Sequence, residues 1–486
     1  MKKIVFFVLF LMIFCNLKAS FIVAEEDYVK VPGLIHLNSD VSSGEDSPEE
    51  MTGAAKEEGI KAVFLTENLS PKWEYGIFPL RNVIKKTVIE GGLLAYGPEK
   101  YKKRIQRISE EFPGVEVLMA AEVAPFYFWT GTPFGKKDLT LNDWDIQFIV
   151  AGMDPADYKG IPTVSNRGFM YYGPGSVLKL WPFLLIIPGV IFLRKKTSRI
   201  SLPNFICWLL IIIGTVFAVN NLPFKEAKYD QYHGRQGIGP YQEVIDYVNS
   251  KGGMTFWSNP EVYTRKRIGP IMYVSTNASS YMREAENYTG FCCFYEGYRS
   301  VGAPGGIWDM VLGEYCVGGR SKPVWAIGEM SYHGKEAADR KRIDEVQAVF
   351  LVPSNTRSNI FDAMRNGRMY ATRGTEEYTL QLDSFAVEYS GKEAMMGEDL
   401  KAAGPVTVAF KVSWKGKANE KITAKLIRSG GIVKEFVIDS PGKYKFEDDF
   451  YLKNGKIYYR LDIRGKYPNM LFSNPIFVTF TEREDA

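Results

Sequence analysis

The chain has 486 residues, which is long for a single domain, so two or three domains are expected. It carries 60 Lys and Arg against 56 Asp and Glu, and the resulting net charge of +4 is small for this length. No basic patch alternates with aromatic residues, which argues against a nucleic-acid partner. The chain has only three histidines, His36, His233 and His333, so a metal site built mainly from imidazole is barely feasible.

The first 24 residues are typical of an export signal. Two lysines are followed by an almost wholly apolar run from Ile4 to Cys15, and then by small residues near Ala19 and Ala24. This order predicts a secretory signal peptide, and an uncleaved N-terminal anchor is the alternative. In either case the sequence that follows is expected to be exported.

A strand, a helix and a second strand are predicted next. Residues 33–40 read as an extended run in which His36 and Asn38 point to the same side, because side chains alternate along a strand. A capping-box sequence at 47–50 predicts the start of a helix. Residues 61–68 then read as a buried strand with a polar end. Polar residues at the carboxyl ends of such strands are where α/β folds place their sites.

Four short motifs stand out in this unit: His36-Leu37-Asn38-Ser39, Gly44, Pro48-Glu49-Glu50 and Thr66-Glu67-Asn68. In this order they resemble the start of the PHP superfamily, the polymerase and histidinol phosphatase metallohydrolases. That family opens with His-x-His-Ser, continues with a Gly and a Pro-Glu-Glu helix, and then has a strand ending in Thr-Asp-His. The frame is kept here, while several ligand positions of the family hold other residues.

The alternation of strands and helices continues along the chain. Residues 98–112 form a charged helical stretch, and strands are predicted at 114–122 and 145–152. This alternation predicts a parallel sheet or barrel. Further on, the same pattern predicts helices at 240–250, 307–317 and 355–366, and strands at 254–261, 324–328, 345–352 and 369–372.

Two apolar runs interrupt the α/β pattern. The first, residues 177–193, includes Pro182 and Pro188, and the second, residues 202–222, is long enough to span a bilayer, which takes about 20 apolar residues. The basic cluster between them, residues 194–199, is what the positive-inside rule predicts at the cytoplasmic end of two spans. We therefore predict a transmembrane helical hairpin. The alternative is a buried hydrophobic hairpin within a soluble domain.

The resemblance to PHP proteins extends from about Gly33 to Gly374, apart from the hairpin. The Glu of the family's third strand corresponds to Glu122, its Ala-His-Pro to residues 258–260, and its Asp-x-His-Gly to residues 331–334. The fold that the resemblance implies is an α/β, distorted (β/α)7 PHP-type barrel that the transmembrane hairpin interrupts.

From about residue 378 the helical signals vanish. Short alternating runs separated by Gly, Asn and Pro predict an antiparallel β-sandwich of about 100 residues. Residues 459–461 and 472–478 resemble the sandwich of carbaryl-hydrolase-like PHP members. The expected segments are a signal peptide or anchor at 1–24, the first barrel part at 25–172, the hairpin at 173–224, the second barrel part at 225–376 and the sandwich at 377–486.

The resemblance also implies a set of site residues. The expected metal ligands are His36, Glu67, Glu122 and His333, and the expected pocket residues are Asn38, Asn68, Asn259 and Ser331. The three Asn residues stand where the family has ligating histidines, while Glu67 and Ser331 stand where it has aspartates. Because an Asn oxygen is a neutral, hard ligand, such a site favours Mg or Ca over Zn or Mn. It is expected to hold one divalent ion or none.

Read without the resemblance, the same residues have plainer roles. His36 and His333 would be hydrogen-bonded core histidines, Glu122 a structural acid paired with Arg, and the Asn residues caps of strands or turns. The two readings lead to different functions, and the sequence leaves both open.

The first function is an exported, membrane-tethered, PHP-like metal-dependent hydrolase. It would act on a phosphoester, ester or amide bond through a metal-activated water. The second is a catalytically inactive PHP-like binding or scaffolding protein of the cell envelope. The expected partners are the lipid bilayer and a small-molecule or cell-envelope substrate, with both soluble domains on the extracytoplasmic side, periplasmic or at the cell surface.

Overall fold

The protein's structure, a computed structural model, describes residues 28–194 and 203–482. The predicted signal or anchor at 1–24 and residues 195–199 of the basic cluster lie outside this range. The helices are α1 Pro48–Glu57, α2 Leu93–Tyr96, α3 Pro98–Glu111, α4 Phe183–Arg194, α5 Asn204–Asn221, α6 Gly239–Ser250, α7 Ser279–Glu284, α8 Ile307–Cys316 and α9 Arg357–Asn366.

The strands before α6 are β1 Val29–Leu37, β2 Ala62–Asn68, β3 Lys72–Gly76, β4 Lys85–Ile89, β5 Glu116–Val123, β6 Phe128–Thr130, β7 Thr140–Asn142, β8 Gln147–Ala151, β9 Met170–Tyr171 and β10 Glu226–Ala227. Those up to α9 are β11 Met254–Ser258, β12 Thr264–Ile268, β13 Ile271–Ser275, β14 Gly290–Cys293, β15 Trp325–Gly328 and β16 Val346–Val352. The remaining ones are β17 Met369–Arg373, β18 Tyr378–Tyr389, β19 Lys392–Met395, β20 Asp399–Ala402, β21 Val406–Gly416, β22 Ile422–Arg428, β23 Gly431–Ile438, β24 Gly442–Asp448, β25 Gly455–Arg464, β26 Met470–Ser473 and β27 Ile476–Phe480.

The fold is mixed α/β and is dominated by one large sheet. Its strands follow the order β15-β14-β11-β8-β5-β2-β1-β16-β17-β26-β25-β22-β23, and β27 and β20 extend it beside β25. Strand β8 precedes the apolar hairpin in the chain and pairs with β11, which follows it. Strand β1 likewise pairs with β16. Segments from both sides of the hairpin therefore build a single sheet.

The directions of two strands, β8 and β16, differ from the expectation of a parallel sheet. Strand β16 runs antiparallel to both β1 and β17. Strands β1, β2 and β5 are parallel neighbours, and so are β11, β14 and β15. Strand β8, however, runs antiparallel to both β5 and β11. A parallel neighbour needs a long crossover, usually a helix. The chain between β5 and β8 instead holds only the short strands β6 and β7.

The segment after β15 lies beside the carboxyl end of β1. The backbone N–H of Met330 donates to Ile35 O at 3.0 Å, and that of Tyr332 donates to His36 O at 2.9 Å. The N–H of Asn38 in turn donates to Tyr332 O at 2.9 Å. These bonds bring together two parts of the chain that are almost 300 positions apart and place residues 329–333 next to His36 and Asn38.

The predicted capping box of α1 is confirmed. Ser47 Oγ accepts from the backbone N–H of Glu50, and the Glu50 carboxylate accepts from the backbone N–H of Ser47. In the loop before it, Gly44 folds directly onto the end of β1. A Cβ atom at this position would lie 1.8 Å from Asn38 O, so only glycine fits there. The loop and the helix thus fix the backbone around Asn38.

Two helical segments of the hairpin, Pro174–Arg194 and Asn204–Asn221, are long and apolar enough to cross a membrane by length and composition. They pack closely on each other, since a Cβ at Gly189 would lie 3.0 Å from Cys207 O and one at Gly214 would lie 3.0 Å from Pro182 O. Many of their large apolar side chains are exposed, among them Leu184, Ile187, Phe205, Trp208 and Ile212. The rest of the described chain does not enclose this hairpin.

The C-terminal strands are joined to the α/β part by backbone pairing and by side chains. Strand β26 pairs with β17, so the large sheet is continuous between the two regions. Asn474, which is fully buried, donates to Ala326 O and Met369 O and accepts from the Ala326 N–H. A second hydrophobic core draws side chains from β18, β21, β22 and β25 and from the outer face of β16.

One buried ion pair also joins these regions. The guanidinium of Arg460 on β25 donates to both carboxylate oxygens of Asp309 on α8, at 2.7 and 2.6 Å. Tyr458 Oη donates to the same carboxylate at 2.8 Å, and the Arg460 guanidinium lies 4.6 Å from the ring centre of Trp308. Both charged groups are almost completely removed from solvent.

We predict that Arg460→Met lowers the free energy of unfolding by about 3–5 kcal/mol, because it leaves the buried Asp309 carboxylate without its cation. Lys411→Met is the matched control. Its Nζ lies 3.9 Å from Asp383 Oδ2 at an exposed position, and such pairs contribute less than about 1 kcal/mol. Denaturant unfolding of the two variants measures the difference. Equal stabilities would show that the buried pair does not hold the regions together.

Candidate functional site

Polar side chains meet at the carboxyl ends of the strands in the large sheet. His36 lies near the end of β1, Asn68 ends β2, Glu122 lies near the end of β5, Ser258 ends β11, and Glu329 directly follows β15. Strands that run parallel bring such ends to one edge of a sheet. We call the group formed by these five residues and Asn38 the strand-end cluster.

His36 is the centre of this cluster. Its imidazole is buried, with Nδ1 in contact with the carboxylate of Glu329 and Nε2 3.4 Å from Oε1 of Glu122. The Nε2 atom makes no hydrogen bond within the described part of the chain. Burial lowers the pKa of His36, but the negative charges of Glu122 and Glu329 outweigh it and raise the pKa to about 10. Without another cation present, His36 is therefore an imidazolium between two carboxylates.

Glu122 is held in place by two amide side chains. Asn68 Nδ2 donates to Oε2 of Glu122, and Asn38 Nδ2 lies 3.5 Å from the same oxygen while it donates to Thr66 O at 2.9 Å. Burial raises the pKa of Glu122, and the charge of His36 more than offsets this, so the pKa is lowered overall. The result is a carboxylate with one oxygen bound by amides and the other, Oε1, facing His36.

Glu329 and its partner Ser258 are the residues of the cluster that the sequence interpretation missed. The Glu329 carboxylate accepts from Ser258 Oγ at 2.6 Å and from the Asn259 N–H at 3.4 Å, besides contacting His36. It also raises the pKa of the neighbouring Cys292 thiol, after the larger effect of burial. The signal that could have identified Glu329 was its place directly after a predicted strand, the same kind of place that Glu122 has.

Glu67 lies in a separate hydrogen-bond network on the other side of β2. Its carboxylate accepts from the hydroxyls of Ser39, Ser42 and Tyr101 and from the Ser39 N–H. Burial raises the pKa of Glu67, although these hydrogen bonds work against the shift. To bind an ion, Glu67 would have to give up some of these bonds, so it differs from Glu122, which keeps one oxygen free of protein hydrogen bonds.

His333 and Ser331 follow Glu329 along the chain. His333 is half-buried, and its pKa is lowered by burial and next by the positive charge of His36. It is therefore a neutral imidazole near the cluster, the form that binds metals. Its carbonyl accepts from the Glu45 N–H at 2.6 Å. Ser331 is fixed by its backbone, since its carbonyl accepts from Lys341 Nζ at 2.6 Å.

The fit of a metal ion to these residues is limited. Within residues 28–194 and 203–482, no group of three or more His, Cys, Asp or Glu side chains is arranged to hold a metal ion. A cluster of several ions therefore does not fit. Two donor atoms do fit a single ion, since His36 Nε2 and Glu122 Oε1 are 3.4 Å apart. Ligand bonds of about 2.0–2.2 Å at ordinary angles separate neighbouring donors by about that much.

Asn38 brings a further oxygen donor to the strand-end cluster. Its Oδ1 atom is buried and makes no hydrogen bond in the described structure, as is also true of His36 Nε2. Buried polar atoms in proteins are nearly always paired, so these two atoms, on residues two positions apart in the chain, are the ones in the cluster open to an ion or a water. An imidazole, a carboxylate and an amide oxygen form a donor set suited to one divalent ion with a preference for oxygen.

Comparison with protein-family models and with curated protein sequences finds no match. Among solved structures, the chain is similar to a two-domain protein from Bacteroides vulgatus that contains a predicted PHP-like metal-dependent phosphoesterase. The identity is 10% and the TM-score 0.34, and the match covers 93% of this chain and 96% of that one.

Two further similar structures cover less of this chain. The first is a candidate metal-dependent phosphoesterase from Bifidobacterium adolescentis, at 11% identity and TM-score 0.29, covering 63% of this chain and 89% of that one. The second is an amidohydrolase from Chromobacterium violaceum with bound sulfate and no metal, at 12% identity and TM-score 0.27, covering 62% and 87%. At such scores the likeness does not assign a function to this chain.

We predict that Glu329→Gln lowers the pKa of His36 in metal-free protein, because it removes one of the two carboxylates beside the imidazole. The folded-state pKa of about 10 lies above the ordinary 6.5. The stability contributed by this charge is therefore complete below pH 6.5 and lost as the pH rises towards 10. Histidine NMR titration measures the shift. The exposed Glu336→Gln is the control, and equal His36 pKa values in both variants would contradict the expected coupling.

Proposed function

We propose that this protein is a hydrolase that uses one divalent ion at the strand-end cluster. The observation that carries the proposal is that His36 Nε2, buried and without a hydrogen bond in the described structure, lies 3.4 Å from Oε1 of Glu122. Asn38 Oδ1 in the same cluster is likewise buried and without a hydrogen bond there. His36, Asn38 and Glu122 would hold the ion, and His333 would complete the site from the segment after β15. Glu67 remains a predicted ligand whose carboxylate would first have to leave its serine and tyrosine partners.

When bound, a divalent ion at such a site polarises the scissile bond and activates a water molecule at neutral pH. The bond attacked would be a phosphoester, ester or amide. Asn68 and Asn259 would line the pocket, and their amides offer hydrogen bonds to the oxygens of such a substrate. Both are partly exposed, in contrast to the buried Asn38.

The side chains around the donors have definite roles in this proposal. Glu329 accepts from Nδ1 of His36 and so directs Nε2 towards Glu122, which is how a carboxylate commonly orients a ligating histidine. Asn68 binds Oε2 of Glu122 and leaves Oε1 for the ion. A divalent ion would replace the proton on His36 Nε2, and its two positive charges would balance the negative charges of Glu122 and Glu329.

We also propose the finer architecture around this site. Strands β1, β2, β5, β8, β11, β14 and β15 would form a distorted (β/α)7 barrel of the PHP type, closed by the hydrogen bonds between residues 330–332 and the end of β1. The four-stranded sheet β19-β18-β21-β24 would pack on the C-terminal part of the large sheet as a β-sandwich. The exposed apolar hairpin would tether both parts to a membrane, outside the cytoplasm.

A second function is supported by a different observation. Amide N–H groups of Asn38 and Asn68 point at the Glu122 carboxylate, and hydroxyls surround Glu67. Hydrogen-bond donors thus stand where a catalytic centre would place metal charge. A catalytically inactive binding or scaffolding protein of the cell envelope would keep this arrangement for its shape.

We predict that Glu122→Gln lowers the rate of hydrolysis of a chromogenic phosphoester, ester or amide at least about a hundredfold, because it removes the charged ligand. Glu116→Gln is the matched control, since Glu116 begins the same strand at the opposite end and should leave the rate unchanged. Steady-state assays with added Mg, Mn, Zn or Ca measure the effect. Wild-type protein that is inactive with every ion would support the scaffold instead.

We further predict that Asn38→His, Asn68→His and Asn259→His together raise the affinity for Zn or Mn, because three nitrogen donors replace amides. Titration calorimetry of the purified triple variant and wild-type protein measures this. A matched control replaces three exposed asparagines outside the cluster, Asn366, Asn419 and Asn454, by His. If both variants gain equal affinity, the gain comes from added histidines in general and the cluster is not an altered metal site.

The topology of the tether is a separate prediction. Strands from both sides of the hairpin share one sheet, so both must lie on the same side of the membrane and the chain must cross it twice. Reporter fusions at Lys196 and Lys335 are expected to give a cytoplasmic signal at Lys196 and an exported signal at Lys335. A cytoplasmic signal at Lys335 would refute the exported site.

A further inference from the structure

A large cavity lies where the apolar hairpin leaves the α/β part. It has a volume of about 710 Å³, and both ends of the hairpin contribute to its wall, through Leu178, Lys179 and Trp181 on one side and Asn220–Leu222 on the other. The remaining wall comes from Glu74 and the loop between β3 and β4, from residues 164–175 and from residues 225–233. The cavity belongs to neither the strand-end cluster nor the helix–helix contact of the hairpin.

Three cations in this wall have no carboxylate partner among the described residues: Arg81, Lys179 and Lys225. Arg81 lies with its guanidinium 4.0 Å from the ring centre of Tyr232, and its Nε atom is buried without a hydrogen-bond partner. Lys225 Nζ lies 5.1 Å from the ring centre of Tyr172. Ring contacts of this kind orient a cation but do not neutralise its charge.

The acidic residues of the wall, by contrast, already have partners. Glu74 accepts from Lys85 Nζ at 2.9 Å and lies 3.7 Å from Arg167. Glu226 accepts from the Ser176 N–H at 2.9 Å. Asp230 accepts from the Tyr232 N–H and pairs with the His233 ring. Only Glu74 has Lys and Arg partners in the described part of the chain, and the carboxylates of Glu226 and Asp230 keep their charge. The wall holds four cations, Arg81, Arg167, Lys179 and Lys225, against these three carboxylates, so its net charge is +1.

The rim of the cavity is apolar and aromatic. Phe78 is 77% exposed and Leu178 75% exposed, and Trp181 and Leu222 are also open to the surroundings. The tip of the β3–β4 loop is fixed to the hairpin, because Asn82 donates to Asn220 Oδ1 at 3.0 Å and to Asn220 O at 2.7 Å. Exposed aromatic side chains at the end of apolar helices are typical of the membrane–water interface.

We propose that this cavity binds the phosphate-bearing headgroup of an anionic phospholipid from the leaflet around the hairpin. The unpaired cations meet the phosphate, and the apolar rim meets the upper part of the acyl chains. Guanidinium and ammonium groups bind phosphate oxygens through charge-assisted hydrogen bonds. The proposal rests on the membrane location of the hairpin proposed above, but not on the chemistry of the strand-end cluster.

The test uses the full-length protein in lipid nanodiscs of phosphatidylcholine, alone or mixed with phosphatidylglycerol. Native mass spectrometry counts the phosphatidylglycerol molecules that stay bound after release from the disc. We expect the triple variant Arg81→Gln, Lys179→Gln and Lys225→Gln to retain them about tenfold less than wild type, since even one lost charge-assisted hydrogen bond is worth about that factor. The control is Lys401→Gln, Lys443→Gln and Lys445→Gln, which removes the same charge from exposed C-terminal strands.

Each outcome decides for or against the proposal. Loss of retention in the cavity variant but not in the control supports it, and equal retention in both overturns it. Soluble glycerol phosphate that displaces the lipid completely would identify a free-phosphate site and overturn the lipid assignment. A wild-type protein that does not enter the discs would refute the membrane location itself, whatever the result of the hydrolase assays. If the triple variant does not fold, the single variant Lys225→Gln replaces it, because Lys225 is partly exposed and its substitution should not disturb the fold.

Discussion

The hydrogen bonds between the end of β1 and residues 330–332 are the constraint on which the rest of the structure depends. They place Glu329 against His36, and they join the segment that follows β15 to the carboxyl end of β1. The chain between these two segments includes the apolar hairpin. Because strands from before and after the hairpin share one sheet, the two ends of the hairpin must meet at that sheet. The position of the candidate site and the return of the chain to the same sheet after the hairpin thus depend on backbone pairing between distant segments.

The opposite charges within the cluster explain how it can be stable without a metal ion. His36 carries a positive charge between Glu122 and Glu329, while amides of Asn38 and Asn68 bind the remaining oxygen of Glu122. An ion pair that is buried and completed by hydrogen bonds does not need a metal for its stability. Two buried atoms of the cluster, His36 Nε2 and Asn38 Oδ1, make no hydrogen bond in the described structure. We propose that they would hold a single ion.

Much of this arrangement could be predicted from local sequence. The apolar runs that end at His36, Asn68 and Glu122 mark strand ends, and the Ser47–Glu50 capping box marks the first helix, because both signals lie within a few residues. The direction of β8 could not be predicted, since a buried apolar run fits a parallel strand and an antiparallel strand equally well. The pairing of β26 with β17 also joins segments about 100 residues apart, which local periodicity does not encode.

The roles of individual side chains were harder to predict than their places. Nothing in the sequence distinguishes Glu329 from any other acid after a strand, because its partner His36 is 293 positions away. Likewise, whether an Asn side chain turns its oxygen or its N–H₂ towards a site depends on neighbours such as Thr66 O and Glu122. Asn38 turns its N–H₂ group towards Thr66 O and Glu122 and leaves its oxygen without a partner in the described structure. The oxygen could bind an ion, as the hydrolase needs, while the N–H₂ group stabilises Glu122 without a metal, as the scaffold needs.

The most direct test of the single-ion site is a crystal of the purified protein soaked in Mn²⁺ and measured for anomalous scattering. The account predicts one peak bonded to His36 Nε2, Asn38 Oδ1 and Glu122 Oε1, with His36 Nδ1 still bound to Glu329. A structure in which His36 keeps its contact with Glu122 and no ion lies between them would contradict the account. It would leave the cluster as a self-contained ion pair in a protein that does not hydrolyse through a metal.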